Sequence, residues 1–242
     1  MESLRGKQSV EIEACELTAR VASYPHVLID LGTGDGRYVQ TIAQAQPATF
    51  AIGVDACREN LHARSLRTPP NALYLIANAV ALPAELSGLA THLTINFPWG
   101  SLLGALLEGD AAFVERLAAL ARPGVRMRVE LRLNAGALAE AGWPLEDSAR
   151  RVRQVLRAAG FSVEPAAALG PRELRDCPTT WARRLAFGRD PRAIELRGEW
   201  TEADEPADKS APGGRTAAKS AGADWERAGQ QLSRSDLSRS CP

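Results

Sequence analysis

The stretch that decides the fold is VLIDLGTGDGR, residues 27–37. It starts as an apolar run of strand length and continues into three glycines, Gly32, Gly34 and Gly36, each two residues after the last. Glycine adopts backbone conformations that other residues avoid, and its missing Cβ lets backbone N–H groups approach a ligand closely. The stretch therefore predicts a buried strand that ends in a tight, ligand-binding turn.

Apolar runs and helix-length segments alternate beyond this turn. Further runs of strand length lie at 50–55, 73–78, 92–97 and 125–131. Segments with helical spacing of apolar residues lie at 36–46, 58–66, 110–124 and 145–159. The alternation predicts an α/β fold, Rossmann-like, with a mainly parallel seven-stranded sheet and helices on both faces. Residues 161–169 and 193–198 are expected to supply the final strands.

Charge is balanced overall but not along the chain. The chain has 29 basic and 29 acidic side chains, so its net charge does not indicate nucleic acid or a membrane as partner. Residues 120–192, however, carry 14 basic side chains, all of them Arg, against 8 acidic ones. Arg suits planar contacts to phosphate, although solvated helix faces explain such a composition equally well.

Cysteine and histidine point to no metal and no disulfide framework. The 4 Cys and 3 His are scattered without ligand spacing, and no apolar run has the length of about 20 residues that a membrane span needs. We predict a cytoplasmic protein without a metal site. Residues 1–200 are expected to form the main folded domain, with a short N-terminal extension at about 1–24. Residues 201–242 are rich in Ala, Ser, Gly, Asp and Pro, with Trp225 as the one aromatic residue, and are expected to be a disordered tail. A tail that binds a partner through Trp225 is the alternative.

The glycine spacing indicates which cofactor the turn binds. A dinucleotide fingerprint reads G-x-G-x-x-G, whereas this turn reads G-x-G-x-G and follows Asp30. That pattern resembles motif I of class I S-adenosylmethionine-dependent methyltransferases. Asp55 ends the next predicted strand, where a carboxylate can accept hydrogen bonds from both ribose hydroxyls. We therefore predict S-adenosylmethionine as the cofactor, with Asn78–Val80 at the end of the third strand lining its adenine pocket.

Two tryptophans follow predicted element ends in polar or basic surroundings. In NFPW, residues 96–99, Pro98 ends the strand and Trp99 projects from the loop at the expected active site, where an indole can stack on a purine. In TTWARRLAFGR, residues 179–189, Trp181 lies beside arginines, a combination typical of a nucleotide held by stacking and phosphate contacts. Burial in the core remains the alternative for Trp99. For the second segment the alternative is an amphipathic helix in which Trp181, Leu185 and Phe187 are partly buried.

The blocks DLGTGDGR, FPWGSLL and TTWARRLAFGR together resemble one family. It is the aminoglycoside-resistance family that methylates N1 of adenine 1408 in the decoding site of 16S ribosomal RNA, of the kanamycin and apramycin resistance type. The resemblance extends from about residue 4 to residue 198. It implies that a flipped adenine is sandwiched between Trp99 and Trp181, with Thr179 helping to place the second indole.

The resemblance also implies the cofactor and RNA contacts. The cofactor residues would be Asp30, Gly32, Gly34, Tyr38, Asp55, Ala79, Val80, Asn96, Phe97, Pro98, Ser101 and Thr180. The residues that contact 16S ribosomal RNA in the small subunit would be Arg64, Arg67, Arg184 and Arg189. The chain departs from the family at Val80, where relatives carry Glu, and in RSLRTPPN, which is shorter and less basic than the corresponding family segment. A monomer that binds neither DNA nor a membrane is expected.

Three other activities stay open at this point. NFPW also resembles the Asn/Asp-Pro-Pro-aromatic motif of amino methyltransferases, in which the polar side chain accepts a hydrogen bond from an exocyclic amine such as adenine N6. A small-molecule methyltransferase would use the late arginines only as surface, and a non-catalytic module would bind the cofactor without transferring a methyl group.

Overall fold

The computed structural model describes residues 1–6 and 8–201. Residues Met1–Thr201 form one compact unit. The tail that the sequence predicts to be disordered, with Trp225, lies outside the described residues apart from Thr201.

The elements follow the predicted alternation. The strands are β1 (Glu2–Arg5), β2 (Gln8–Glu11), β3 (His26–Leu31), β4 (Thr49–Asp55), β5 (Ala72–Ile76), β6 (His92–Asn96), β7 (Met127–Asn134), β8 (Ser162–Val163), β9 (Ala167–Leu169) and β10 (Ala193–Trp200). The helices are α1 (Ala14–Val21), α2 (Arg37–Ala45), α3 (Arg58–Ser65), α4 (Gly100–Glu108), α5 (Ala111–Ala119), α6 (Ala135–Glu140), α7 (Leu145–Ala158), α8 (Pro171–Asp176) and α9 (Thr180–Ala186).

The strands form one sheet in the order β2-β1-β5-β4-β3-β6-β7-β10-β8, and β9 pairs with β10. The five strands from β5 to β7 are parallel, whereas β10 runs antiparallel to β7. Strand order reverses between β3 and β6, because the chain leaves β3 toward β4 but leaves β6 toward β7. Ligands of open α/β sheets bind at the carboxyl ends of the strands at such a reversal.

The reversal also distributes the helices. Crossovers between parallel strands are right-handed, so α2 and α3 cover one face of the sheet while α4 and α5 cover the other. Strand β6 is buried along its whole length, as expected for a strand covered on both faces. The predicted Rossmann-like, mainly parallel sheet with helices on both faces is confirmed.

In the part of the chain that the structure describes, the sheet has ten strands rather than the seven predicted. Strands β1 and β2 of the N-terminal extension add two, since β1 pairs antiparallel with β2 and with the edge strand β5. The third arises because the run 161–169, predicted as a single strand, forms the two short strands β8 and β9, which both pair with β10. Within the described residues, no helix is long and apolar enough to cross a membrane.

Candidate active site

The glycine-rich turn follows β3 and is built on left-handed backbone. Gly32, Gly34 and Gly36 have φ of 68°, 59° and 72°. A side chain at such angles is disfavoured, and a Cβ on Gly36 would also lie 2.5 Å from the ring of Tyr74. Around the missing Cβ of Gly34 there is open space. The turn therefore leaves the backbone at Gly34 uncovered by side chains.

Asp55 closes this turn from the end of β4. Its Oδ2 accepts a hydrogen bond from the Gly34 N–H at 2.8 Å, and its Oδ1 accepts one from the Cys57 N–H at 2.9 Å. Since a carboxylate has about four lone-pair sites, it can accept further bonds from a ligand. The structure thus brings Asp55 and the turn together at the carboxyl ends of β3 and β4.

Asp30 is the buried acid of the site. Its side chain is 1% exposed, and its Oδ1 accepts hydrogen bonds from Thr94 Oγ1 at 2.7 Å and Asn96 Nδ2 at 2.9 Å. Its Oδ2 is buried and has no hydrogen-bond partner among the described residues. Burial raises the pKa of the Asp30 carboxyl to about 6, although its donors and the charge of Arg132 oppose the rise. The free oxygen beside the turn suits a cationic ligand group.

Asn96 is part of this buried cluster. Its amide nitrogen donates to Asp30, and its amide oxygen accepts from Arg132 NH1 at 2.6 Å. Both ends of the side chain are therefore occupied by partners in the protein. Asn96 is 8% exposed, so its amide oxygen is not open to the contact with an exocyclic amine that the amino methyltransferase motif predicts.

Phe97 explains the second position of NFPW. It is the non-glycine residue with positive φ among the described residues, at 53°, and its side chain is 2% exposed. The ring packs with Leu174, Cys177, Ala182, Leu185 and Ala193. It thereby anchors helices α8 and α9 on the end of β6. A bulky residue in the left-handed region costs free energy that the packing must offset.

Pro98 and Trp99 follow this anchor. Pro98 is buried, and half-buried Trp99 forms the N-cap of α4. The indole of Trp99 stacks on that of Trp181, with ring centroids 5.3 Å apart and an angle of 27° between planes. The two tryptophans singled out in the sequence, 82 positions apart, thus lie face to face at the carboxyl end of β6.

The indole pair is closed in this structure. Aromatic rings in direct contact have centroids about 4.5–7 Å apart. The observed 5.3 Å lies in this range, so the two indoles contact each other and must move apart to admit an adenine between them. Trp181 lies in the first turn of α9 and is 38% exposed, which makes it the more exposed of the two indoles.

Thr179 and Thr180 fix the helix that carries Trp181. Thr179 caps α9, since its Oγ1 accepts from the Ala182 N–H at 2.9 Å. Thr180 Oγ1 donates to Asp35 Oδ2 at 2.8 Å, which ties α9 to the glycine-rich turn. Asp35 was not among the predicted site residues. Its position inside DLGTGDGR was the available signal, but its partner lies 145 residues away.

The remaining predicted cofactor residues lie at the same edge of the sheet but differ in exposure. Tyr38, on α2, is 5% exposed, and burial raises the pKa of its phenol far above its usual range. In the turn after β5, Ala79 is buried and Val80 half-buried, and the Val80 N–H donates to Asn78 Oδ1 at 3.0 Å. Ser101 is exposed in the first turn of α4.

Two of the four predicted RNA-binding arginines have protein partners. Arg64 donates to Gln40 Oε1 at 3.1 Å and lies 3.8 Å from Asp35 Oδ2. The guanidinium carbon of Arg184 lies 5.4 Å from the Trp181 ring centroid, within cation–π distance. Arg67 and Arg189 are exposed. Asp35 pairs with Arg64 on α3 and accepts a hydrogen bond from Thr180 on α9. The arginines of α3 and of α9 are therefore linked beside the indole pair.

Comparison with known proteins agrees with this geometry. Residues 2–200 match the family described as NpmA: 16S rRNA (adenine(1408)-N(1))-methyltransferase. The chain belongs to this family. A protein of the same description from Escherichia coli is 31% identical over 202 residues, which cover 77% of this chain and 92% of that protein.

Solved structures place the fold in the same group. The 16S rRNA methyltransferase KamB has a TM-score of 0.75 at 30% identity, covering 84% of this chain and all of that one. The aminoglycoside resistance methyltransferase NpmB1 has a TM-score of 0.68 at 31% identity, covering 83% of this chain and 99% of that one. The resemblance drawn from the three sequence blocks is therefore confirmed, and with it the methyltransferase class of the enzyme.

The site residues suit the cofactor that a methyltransferase of this class uses. S-adenosylmethionine carries a cationic sulfonium, an ammonium group and a ribose. Asp30 provides an unpartnered carboxylate oxygen as an acceptor. Gly34 provides backbone that no side chain covers, and Asp55 provides a second carboxylate at the same edge of the sheet. Among the described residues, no group of three His, Cys, Asp or Glu side chains could hold a metal ion.

Proposed function

We propose that the protein transfers a methyl group from S-adenosylmethionine to N1 of adenine 1408 in 16S ribosomal RNA of the small subunit, and so confers resistance to kanamycin and apramycin. The observation that carries the proposal is the stacked pair of Trp99 and Trp181 beside the glycine-rich turn. The domain that acts comprises residues 1–200, and it acts as a monomer in the cytoplasm.

The protein has to position the adenine, and the reaction needs no residue that removes a proton from it. Adenine N1 carries a lone pair in the ring plane, so it attacks without prior loss of a proton. When bound, S-adenosylmethionine supplies an electrophilic methyl group. Trp99 and Trp181 would hold the flipped adenine so that N1 points along the line of attack, and their faces favour the cationic ring that results. Extraction of the base costs a few kcal/mol, which the two stacking contacts offset.

Cofactor contacts are assigned to the carboxyl ends of β3, β4 and β5. Asp30 would accept from the cationic end of the cofactor, Asp55 from the ribose hydroxyls, and the residues around Ala79 and Val80 would line the adenine pocket. Thr179 and Thr180 would act through α9, which they cap and tie to Asp35.

The buried state of Asn96 favours N1 over an exocyclic amine as the methylated atom. An amino methyltransferase with the Asn/Asp-Pro-Pro-aromatic motif needs the polar side chain of this motif as an acceptor, whereas Asn96 is 8% exposed and its Oδ1 lies 2.6 Å from Arg132 NH1. Phe97 stands where the amino methyltransferase motif has Pro, and this difference also favours N1. The Phe97 ring anchors α8 and α9, so that Trp99 is the residue left to face the adenine.

The decisive experiment measures methyl transfer from labelled S-adenosylmethionine to purified small ribosomal subunits, with the modified base located by reverse-transcriptase arrest. A methyl group on N1 blocks Watson–Crick pairing, so we expect incorporation together with a stop at adenine 1408. Incorporation without a stop would assign an amino nitrogen instead. If no label enters the subunit, but low-molecular-weight acceptors are methylated, the ribosomal substrate is wrong.

Asp55→Asn is expected to weaken the binding of S-adenosylmethionine by about tenfold or more. Hydrogen bonds to a charged group contribute about 1.5–3 kcal/mol, and about 1.4 kcal/mol corresponds to tenfold in affinity. Isothermal titration calorimetry measures the effect. Asp110→Asn is the matched control, because Asp110 also accepts a backbone N–H at the start of a helix, at 2.9 Å from Phe113 N, but belongs to α5. Equal affinity in the Asp55 variant and the wild type would contradict the assignment.

Arg189→Gln is expected to reduce the salt dependence of binding to the small subunit. Removal of one contact between an arginine and a phosphate lowers the slope of log affinity against log salt by about one. Arg189 tests the RNA contact more cleanly than Arg184, which also contacts the Trp181 ring. Arg20→Gln serves as the control, since Arg20 lies on α1 before the amino end of β3. An unchanged slope in the Arg189 variant would exclude this contact.

A further inference from the structure

A row of polar side chains crosses the sheet at its carboxyl edge. In the strand register, Asp30 on β3 lies opposite Thr94 on β6, Asn96 opposite Arg132 on β7, and Arg132 opposite Glu195 on β10. Four neighbouring strands thus each contribute to one continuous row. Side chains directly opposite in neighbouring strands are close enough to interact, so the row joins the cofactor edge to the far side of the sheet.

Arg132 is at the centre of this row. Its guanidinium donates to Asn96 Oδ1 at 2.6 Å, to Glu130 Oε2 at 2.6 Å and to Glu195 Oε1 at 2.7 Å, and the side chain is 12% exposed. Arginine has donors only. Asn96 must therefore turn its amide oxygen toward Arg132, which leaves its amide nitrogen facing the other neighbour, Asp30.

The orientation of Asn96 determines which oxygen of Asp30 is free. Oδ1 of Asp30 receives both Thr94 Oγ1 and Asn96 Nδ2, while Oδ2 is buried without a partner among the described residues. If Asn96 were turned the other way, its oxygen would face the carboxylate and repel it. The ionised form of Asp30 would then lose the donor that Asn96 provides in a buried site, where unpaired charge is costly.

We propose that Arg132 is a positioning residue for cofactor binding: it holds the amide of Asn96 so that Asp30 stays ionised with one oxygen directed at the cofactor. The inference rests on the proposed role of Asp30 in binding S-adenosylmethionine. Arg132 itself does not contact the cofactor in this scheme and acts through Asn96. Nothing in the three sequence blocks marks Arg132, which lies outside all of them.

The surroundings of Asp30 make its ionisation measurable. Burial raises its pKa to about 6, and the groups that face it are the hydroxyls of Thr33 and Thr94, the amide of Asn96, the charge of Arg132, and the phenols of Tyr38 and Tyr74. Glu130 and Glu195 lie behind Arg132. Because the ionised acid binds the cation, affinity is present above this pKa and is lost as pH falls through it.

The test follows the affinity for S-adenosylmethionine by calorimetry between pH 5 and pH 8.5, a range chosen around the pKa of about 6. Arg132→Lys keeps a positive charge beside Glu130 and Glu195 but removes the planar donor to Asn96. Asn96→Leu removes the same link from β6 and keeps the proposal testable if the lysine variant folds poorly. Both variants are expected to move the midpoint of the pH dependence of affinity upward by about one pH unit.

Arg197→Gln is the matched control. Arg197 donates to the other oxygen of Glu195 at 2.8 Å but does not touch Asn96. If Arg132 served only to neutralise Glu195, the Arg197 variant would shift the midpoint as well; we expect no shift. The double variant Arg132→Lys with Asn96→Leu is expected to shift the midpoint no further than either single variant, because the two residues act through one link.

Asp30→Asn separates the inference from the proposed function. Suppose that this variant loses cofactor binding, while folded Arg132→Lys and Asn96→Leu proteins keep the pH midpoint of the wild type. That result would overturn the positioning role of Arg132 and leave the role of Asp30 intact. Retained binding in the Asp30 variant would overturn the assignment of Asp30 to the cofactor, and the inference with it. Additive shifts in the double variant would also count against a shared link.

Discussion

Trp181→Ala is expected to lower methyl transfer to the small ribosomal subunit by about 100-fold, while affinity for S-adenosylmethionine stays within about twofold. One stacking contact contributes about 1–3 kcal/mol to binding of the base. A base displaced by about 1 Å from the line of attack reacts about 100-fold more slowly. The same result is expected for Trp99→Ala, since the two rings form one clamp. Single-turnover methylation and calorimetry measure the two quantities.

Phe187→Ala provides the control for the clamp. Phe187 follows α9 directly and is 78% exposed, so it is a large aromatic side chain on the same segment that stacks on neither indole. We expect its turnover to match the wild type. Unchanged turnover in either tryptophan variant, with the protein folded, would exclude the clamp.

Phe97→Ala is expected to lower the free energy of unfolding by about 3–5 kcal/mol, the usual cost of removing a buried phenylalanine ring. The ring joins α8 and α9 to the end of β6, so the variant is also expected to lose methyl transfer through misplacement of Trp181. Denaturant unfolding followed by circular dichroism gives the stability, and the ribosomal assay gives the activity.

The backbone at Phe97 allows a sharper test. At φ of 53° a Cβ is strained, so Phe97→Gly is expected to be more stable than Phe97→Ala by about 1 kcal/mol. Phe113, buried in α5, is the control, because glycine in a helix is about 1 kcal/mol less stable than alanine. The same order of stability at both positions would show that left-handed strain at Phe97 is not significant.

Local sequence patterns predicted most of the elements that carry the site. Strands β3, β4 and β6 lie within one residue of their predicted bounds, because runs of buried apolar residues bounded by glycine or polar residues are distinctive. For α9 an amphipathic helix was one of two interpretations, and the structure has a helix there at Thr180–Ala186. A helix of seven residues has too few turns for periodicity to be read.

The partners of the site residues could not be predicted in the same way. Asp30 was expected to bind the cofactor, but its bonds to Thr94 and Asn96 join residues 64 and 66 positions apart. Arg132 was missed, although charged residues alternate with apolar ones along β7 and indicated a polar face. Alternation shows which face a side chain takes, but the strand opposite it depends on sheet order and register.

By itself the sequence determined the first strand and its glycine-rich turn, the alternation that makes a parallel sheet, and the three blocks that identify the family. These features depend on residues close together in the chain, where glycine geometry and apolar spacing act directly. Only the tertiary structure decided that the two indoles stack at 5.3 Å, that Phe97 anchors α9, and that Arg132 orients Asn96. Each of these contacts joins segments brought together by strand order, which packing of the whole sheet selects.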